Sequence, residues 1–284
     1  MSFSKDLGYY AFVFLEKIYN ILPKNMHNGL KRLFSKLLYA LGGRRKRIVL
    51  KNIEILTGKK DEKTAKKFYD VFVDNVFEFF ENLNLTKDNL AEKVEFENVE
   101  MVKESLKDGP VVFVTAHYGN WEIMPVAVGA LLGDIDVVVR KLDNEKLNEK
   151  IEKSRKRFGV NVYDKRGGLR HLVSSLKKGR SVGILVDQYP GDDKGVITRF
   201  CGKPVRHTEV AAVLSKKFNV PVIVSFVEKQ NGKYIIKFIE KFFTEDINSS
   251  VDRQADIMGK YILENGIHKW YLFHRRFRPW EKYE

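Results

Sequence analysis

The chain has 284 residues, 44% of them hydrophobic and 12% aromatic, which excludes global disorder and allows one large domain or two modest ones. Lys and Arg number 51 against 37 Asp and Glu; the net charge of +14 calls for an anionic counterpart, whether nucleic acid, a membrane surface or an acidic partner. A single cysteine, Cys201, excludes an intramolecular disulfide and a cysteine-based zinc cluster and points to the cytoplasm.

The charge is concentrated at one end. Residues 1–51 carry eleven Lys and Arg against two acids, Asp6 and Glu16, interleaved with Tyr9, Tyr10, Phe12, Phe14, Leu15 and Ile18. The apolar run from Gly8 breaks at Glu16-Lys17. That is far short of the roughly 20 apolar residues of a spanning helix, and no secretory cleavage site follows. The segment reads as a helix lying in a membrane interface, apolar face down and cations toward the headgroups. An amphipathic core helix with a solvated basic face is the alternative. Helices are expected over 5–22 and 26–41, separated by Pro23, the second ended by Gly42-Gly43. A basic helical segment follows over 44–56. A further helix covers 59–83, where Phe68, Val71, Phe72, Asn75, Val76, Phe79 and Phe80 recur at spacings of three and four. Residues 1–85 thus form a helical membrane-associating region and 86–284 an α/β domain.

From Val94 the pattern changes. Short apolar runs at 110–115, 135–139, 161–163, 181–186 and 221–227 alternate with helical stretches at 121–132, 144–158, 169–178 and 209–218. This alternation predicts βαβ units and a mostly parallel, mixed sheet flanked by helices. An edge strand over 233–240, after the Asn231-Gly232 turn, and a helix over 251–264 complete the reading. Ligands of such sheets bind beyond the carboxyl ends of the strands. His117, Arg140 and the pair Asp187-Gln188 stand at those ends.

The segment from His117 to Glu122, His-Tyr-Gly-Asn-Trp-Glu, leaves a buried strand and turns at Gly119 into a helix. Imidazole is an effective general base near neutral pH. A carboxylate on its second nitrogen fixes the tautomer and stabilises the imidazolium, and Glu122 folding back across the turn would serve. With no serine or cysteine nearby in sequence, the base would activate a hydroxyl brought by the substrate. The plainer alternative is that Glu122 caps the helix and His117 bonds locally. Gly179-Arg-Ser181-Val-Gly183 matches G-x-S-x-G, but it runs from helix into strand, the reverse of a nucleophile elbow. No glycine-rich nucleotide loop is present.

These residues carry a resemblance. Thr115-Ala-His-Tyr-Gly-Asn-Trp-Glu122 resembles the H-x4-D/E block of glycerolipid acyltransferases, and more closely that of the lipid A biosynthesis (lauroyl/myristoyl) acyltransferase family. In order follow Val137-Val-Val-Arg140, Arg155-x-x-Phe158-Gly159, Leu176-x-x-Gly179, Val186-Asp-Gln188 and Phe200-Cys-Gly-Lys-Pro204. Trp270-x-x-x-His274-Arg-Arg-Phe277 looks like the closing block, and Arg47-Ile-Val-x-x-Asn52 an upstream one. The family usually shows two phenylalanines where this chain has Phe200-Cys201. The likeness spans about residues 40–278.

The resemblance implies a glycerolipid acyltransferase-like fold and transfer of a fatty acyl chain from an acyl carrier protein or coenzyme A thioester to a hydroxyl of a glycolipid. His117 would deprotonate the acceptor and Glu122 would orient it. Backbone N–H groups around Gly119 and Asn120 are candidates for an oxyanion site. Arg140 and Arg155 would bind phosphate, with Asp187 and Gln188 supporting the ligand; solvation for Arg155 and a turn role for Asp187-Gln188 stand as alternatives. No cofactor and no metal is expected. Phe72, Phe79 and Phe80 are candidates to wall an acyl pocket, and His207 and His274 read as surface histidines beside arginines. The place of action would be the cytoplasmic face of the bacterial inner membrane, peripheral or monotopic. A lysophospholipid acceptor is a second reading. A basic nucleic-acid-binding protein is a third, disfavoured because the cations cluster with large apolar residues.

Overall fold

The computed structural model describes residues 3–142 and 144–283, with the side chains of 3–8 and 11 left aside, so the charges of Lys5 and Asp6 lie outside the described residues. Helices α1 (Phe3–Ile21), α2 (Lys24–Ala40), α3 (Gly43–Thr57) and α4 (Glu62–Asn82) come first. Pro23 separates the first two, Gly58 ends α3 in the left-handed region (φ 79°), and the Asp61 side chain caps α4 by accepting the Lys63 N–H. Tyr19 of α1 packs with Val73, Phe77 and Phe80 of α4 in a small core of its own.

There follow α5 (Lys87–Lys93), β1 (Val94–Glu97), α6 (Val99–Asp108), β2 (Val112–Thr115), α7 (Ile123–Leu131), β3 (Ile135–Val139), α8 (Glu145–Lys156), β4 (Val160–Asp164), α9 (Gly168–Lys177) and β5 (Ser181–Leu185). A hairpin, β6 (Val196–Phe200) and β7 (Lys203–His207), precedes α10 (Val210–Phe218), β8 (Val222–Gln230), β9 (Lys233–Phe242), α11 (Ile247–Asn265) and a 3-10 turn at Ile267–Lys269. The main sheet has seven strands in the order β1-β9-β8-β2-β5-β3-β4, parallel except where β8 meets β9. It is the α/β architecture expected from the alternation of patterns.

The run of β2 explains its central place. Val112 and Val114 face one core with Leu176 of α9 and Leu214 of α10, while Phe113 faces the other with Ile123 and Ala127 of α7. A strand buried on both faces must be apolar throughout.

Two expectations are corrected. The strand after Asn231-Gly232 is not at an edge, because β1 pairs alongside it in parallel. The four residues of β1, Val-Glu-Phe-Glu, are too few to announce themselves by period. The β6–β7 hairpin was not foreseen. Cys201 and Gly202 both take positive φ (52° and 74°), giving the turn whose twist suits a two-residue hairpin. Asparagine or aspartate normally marks such a turn, and here a cysteine stands in that place.

Helix α11 lies hard against this turn. A Cβ at Gly259 would fall 2.5 Å from the Cys201 nitrogen. Gly29, within α2, has nothing within 4 Å. Alanine favours a helix over glycine by about 1 kcal/mol, but overpacking a close contact costs about 1–3 kcal/mol. Gly259→Ala should therefore lower the denaturant midpoint and Gly29→Ala raise it. Equal shifts of the same sign would contradict this account of the contact.

Candidate active site

The site sits where β2 and β5 end side by side. Thr115 stands opposite Leu185 in the parallel register, so two residues on His117 comes beside Asp187. The His117 ring donates from Nδ1 to Asp187 Oδ1 at 2.7 Å, and its backbone N–H donates to Oδ2 at 3.1 Å. The same Oδ2 accepts the Trp270 indole N–H at 2.7 Å. Asp187 is fully buried.

Burial alone would push that carboxyl up. The His117 charge and hydrogen bond, with His274 and the Trp270 N–H, more than reverse this and hold it well below the usual carboxylate range. For His117, burial opposes the charged form, but Asp187, with a contribution from Glu122, raises its pKa above that of ordinary imidazole. An ionised Asp187 can only accept, so the Nδ1 proton is fixed and Nε2 carries the lone pair. Nε2 lies 3.3 Å from the exposed Gln188 side-chain nitrogen. Trp121 and Tyr271 flank the ring at centroid distances of 5.1 and 5.9 Å.

Glu122 does not take the orienting place expected of it. It lies at the start of α7 in an ion pair with Arg155 of α8. Arg155 is correspondingly occupied, its side chain only 11% exposed. Arg140 is exposed just past the end of β3, two strands from β2. The Gly119 N–H is committed to Lys269 O at 2.9 Å, so it cannot serve an oxyanion, and Gly119 O accepts from Asn75 at 2.8 Å. Gly119 has φ 55°, and a Cβ there would come within 2.3 Å of Val227 O. The glycine makes the turn and the close approach. The Asn120 side chain is buried and donates to Glu78 Oε2 at 2.7 Å, tying the turn to α4. Ser181 opens β5 at the opposite end of the sheet, its hydroxyl taken by the Val111 N–H. Among the described residues no group of His, Cys, Asp and Glu could hold a metal ion.

The closing segment underlies all of this. Tyr271 N–H donates to His117 O at 2.8 Å. Asn52 of α3 donates to Leu272 O at 2.8 Å and His274 O at 2.9 Å and accepts from Tyr283. Arg276 is fully buried and donates to Gln188 O at 3.0 Å, to Arg206 O at 2.5 Å and to His207 Nδ1 at 2.8 Å. Burial lowers its pKa to about 10. His207 and His274 are therefore not surface residues. Burial, reinforced by Arg276, pushes His207 well below its ordinary value. His274 has neither ring nitrogen bonded, and burial takes it down to about 3. Sequence alone did not identify Asp187 as the partner of His117, nor the parts played by Asn75, Glu78 and Trp270. The one available signal was that His117 and Asp187 each follow a predicted strand.

An apolar cleft of about 400 Å³ opens between α2, α3 and α4 and is lined by Leu38, Leu41, Arg45, Tyr69, Phe72 and Phe273. Phe72 and Phe273 lie 6.2 and 5.6 Å from the Tyr271 ring, which abuts His117. Of the expected pocket walls, Phe72 lines this cleft. Phe80 instead packs on Phe12 and Tyr19.

A family model described as bacterial lipid A biosynthesis acyltransferase matches residues 2–279. A search of curated proteins finds no match. With nearly its whole length matched, the chain belongs to the bacterial lipid A biosynthesis acyltransferase family, a family of acyltransferase enzymes.

Proposed function

We propose that the protein transfers a fatty acyl chain from an acyl thioester, on acyl carrier protein or coenzyme A, to a hydroxyl of a glycolipid such as a lipid A precursor. The observation that carries this reading is the His117–Asp187 pair, a base with its Nδ1 proton pinned and its Nε2 lone pair turned outward. The acceptor hydroxyl gives its proton to Nε2 as its oxygen attacks the thioester carbonyl. The tetrahedral oxyanion then collapses, the C–S bond breaks, and the imidazolium returns the proton to the leaving thiolate. Asp187 stabilises the imidazolium formed in between. The exposed Gln188 amide, beside Nε2, is a candidate donor to the oxyanion. Glu122, held by Arg155, adds negative charge near the imidazole, and Arg140 is left to meet phosphate on the substrate.

The site would work at a membrane surface, on the cytoplasmic face of the inner membrane. No helix among the described residues is long and apolar enough to cross a bilayer. Yet Phe14, Ile21, Leu33 and Leu41 of the α1–α2 region are 63%, 82%, 54% and 81% exposed, beside a strongly basic sequence. That combination suits interfacial insertion. The apolar cleft, beginning at Leu38 and Leu41 and ending near Tyr271, would take the acyl chain.

Purified protein given acyl-acyl carrier protein or acyl-coenzyme A and a panel of acceptor lipids should transfer the chain, and His117→Ala should abolish transfer while the fold persists. Asp187→Asn should lower kcat by about 10³–10⁴-fold, more than Glu122→Gln does. Because Asp187 raises the His117 pKa and the neutral base is the active form, activity falls as pH drops through that raised value. In Asp187→Asn the acid limb should move to lower pH. An unmoved limb, or a larger loss in Glu122→Gln, would return the orienting role to Glu122.

Two further outcomes are expected. Phe14→Glu and Ile21→Glu should each weaken binding to anionic vesicles by about tenfold or more, since a buried large apolar side chain contributes about 1.5–3 kcal/mol. Undiminished vesicle binding would place the lipid contact elsewhere. Leu38→Trp, at the cleft, should shift donor preference toward shorter chains by about fourfold per methylene, at about 0.8 kcal/mol per CH₂. An unchanged chain-length profile would exclude the cleft as the acyl site.

A further inference from the structure

A second surface on the strand-end side is, Arg140 apart, unaccounted for by the chemistry above. Arg140 follows β3, and Lys165 and Arg166 follow β4. The two loops are joined: the Lys165 N–H donates to Val139 O at 2.8 Å. The start of α9 lies against β3, where a Cβ at Gly168 would meet Val138 Cγ1 at 2.6 Å. Arg140, Lys165, Arg166 and Arg170 are all exposed. Among the described residues none of the four side chains has a carboxylate partner, whereas Arg155, Arg180 and Arg253 are each held by acids. The nearby Asp164 is occupied by the Arg166 backbone N–H at 2.6 Å. Leu142, just after β3, and Leu169, at the start of α9, are 44% and 47% exposed.

We propose that these loops dock a small acidic carrier protein that brings the acyl thioester, an inference that rests on the acyltransferase reading. Three features point to a protein surface. The cations stand on three segments, the ends of β3 and β4 and the first turn of α9, and all are exposed. Two exposed leucines accompany them in sequence, so that charge steers the approach and apolar contact seats it. Lipid contact already has its own broad apolar face on α1 and α2. The placement also fits delivery. The sheet order β2-β5-β3-β4 and a strand spacing of about 4.8 Å set Arg140 about 10 Å and Lys165 about 14 Å from the strand of His117. A flexible arm bearing the acyl group would cross that interval while its protein stays on the loops.

The test compares two donors with the same acyl chain, one carried on acyl carrier protein and one on free pantetheine, in the intact protein and in a Lys165→Glu, Arg166→Glu, Arg170→Glu variant. The expected result is a KM for the carrier-bound donor raised by about tenfold or more at low salt, a kcat near that of the parent, and a gap that narrows as salt rises. Turnover of acyl-pantetheine, KM for the acceptor and vesicle binding should be unchanged. The matching triple glutamine variant should lie between parent and glutamate variant. An equal effect on both donors, a rise in acceptor KM, or lost vesicle binding would overturn the proposal, the last two by assigning the loops to a lipid headgroup. So would a parent enzyme that uses acyl-coenzyme A and not the carrier-bound chain. Failure of the parent protein with every donor would instead overturn the acyltransferase reading.

Discussion

A carboxylate kept ionised in a fully buried place governs this structure. Asp187 is shut off from bulk solvent, and an unpaired charge at that depth would be prohibitive. It is stabilised by donors from two distant parts of the chain: the His117 backbone and ring beyond β2, and the Trp270 indole near the chain's far end. The burial that would penalise the charge strengthens the bonds that answer it. One group thereby fixes the tautomer of the imidazole, the pairing of two strand ends and the path of the closing segment.

The helices are bound into the same arrangement through polar side chains. Asn75 and Glu78 of α4 reach the turn at Gly119-Asn120, and Asn52 of α3 grips the Leu272 and His274 carbonyls. Arg276 fastens Gln188 to the end of the β6–β7 hairpin. No carboxylate pairs with it among the described residues, so its charge is spread over carbonyl oxygens and a neutral imidazole. The N-terminal helices, hairpin and sheet thus meet at the base of the site.

Much of this was legible in the sequence. Apolar runs in β2, β3, β5 and β8 stood out because strands buried on both faces are mostly apolar. His117, Arg140 and Asp187-Gln188 were correctly located just beyond strands. What escaped has physical reasons. The four residues of β1 are too short to show a period, and the turn at Cys201-Gly202 lacks the usual asparagine or aspartate. The partner of His117 was misassigned to Glu122 because sequence proximity favours a residue five positions on. Strand register, which sequence does not state, brings in one 70 positions away. His207 and His274 looked like surface residues beside arginines, yet one of those arginines is itself buried.

The closing thread has a consequence for the life of the chain. During synthesis α1 and α2 are made before the sheet, and Trp270 comes more than two hundred residues after them. A chain whose helices and first strands are already made still lacks the indole donor of Asp187 and the Tyr271 N–H that meets the His117 carbonyl. The order of synthesis therefore leaves the His117–Asp187 pair without its full set of partners until the closing segment is added.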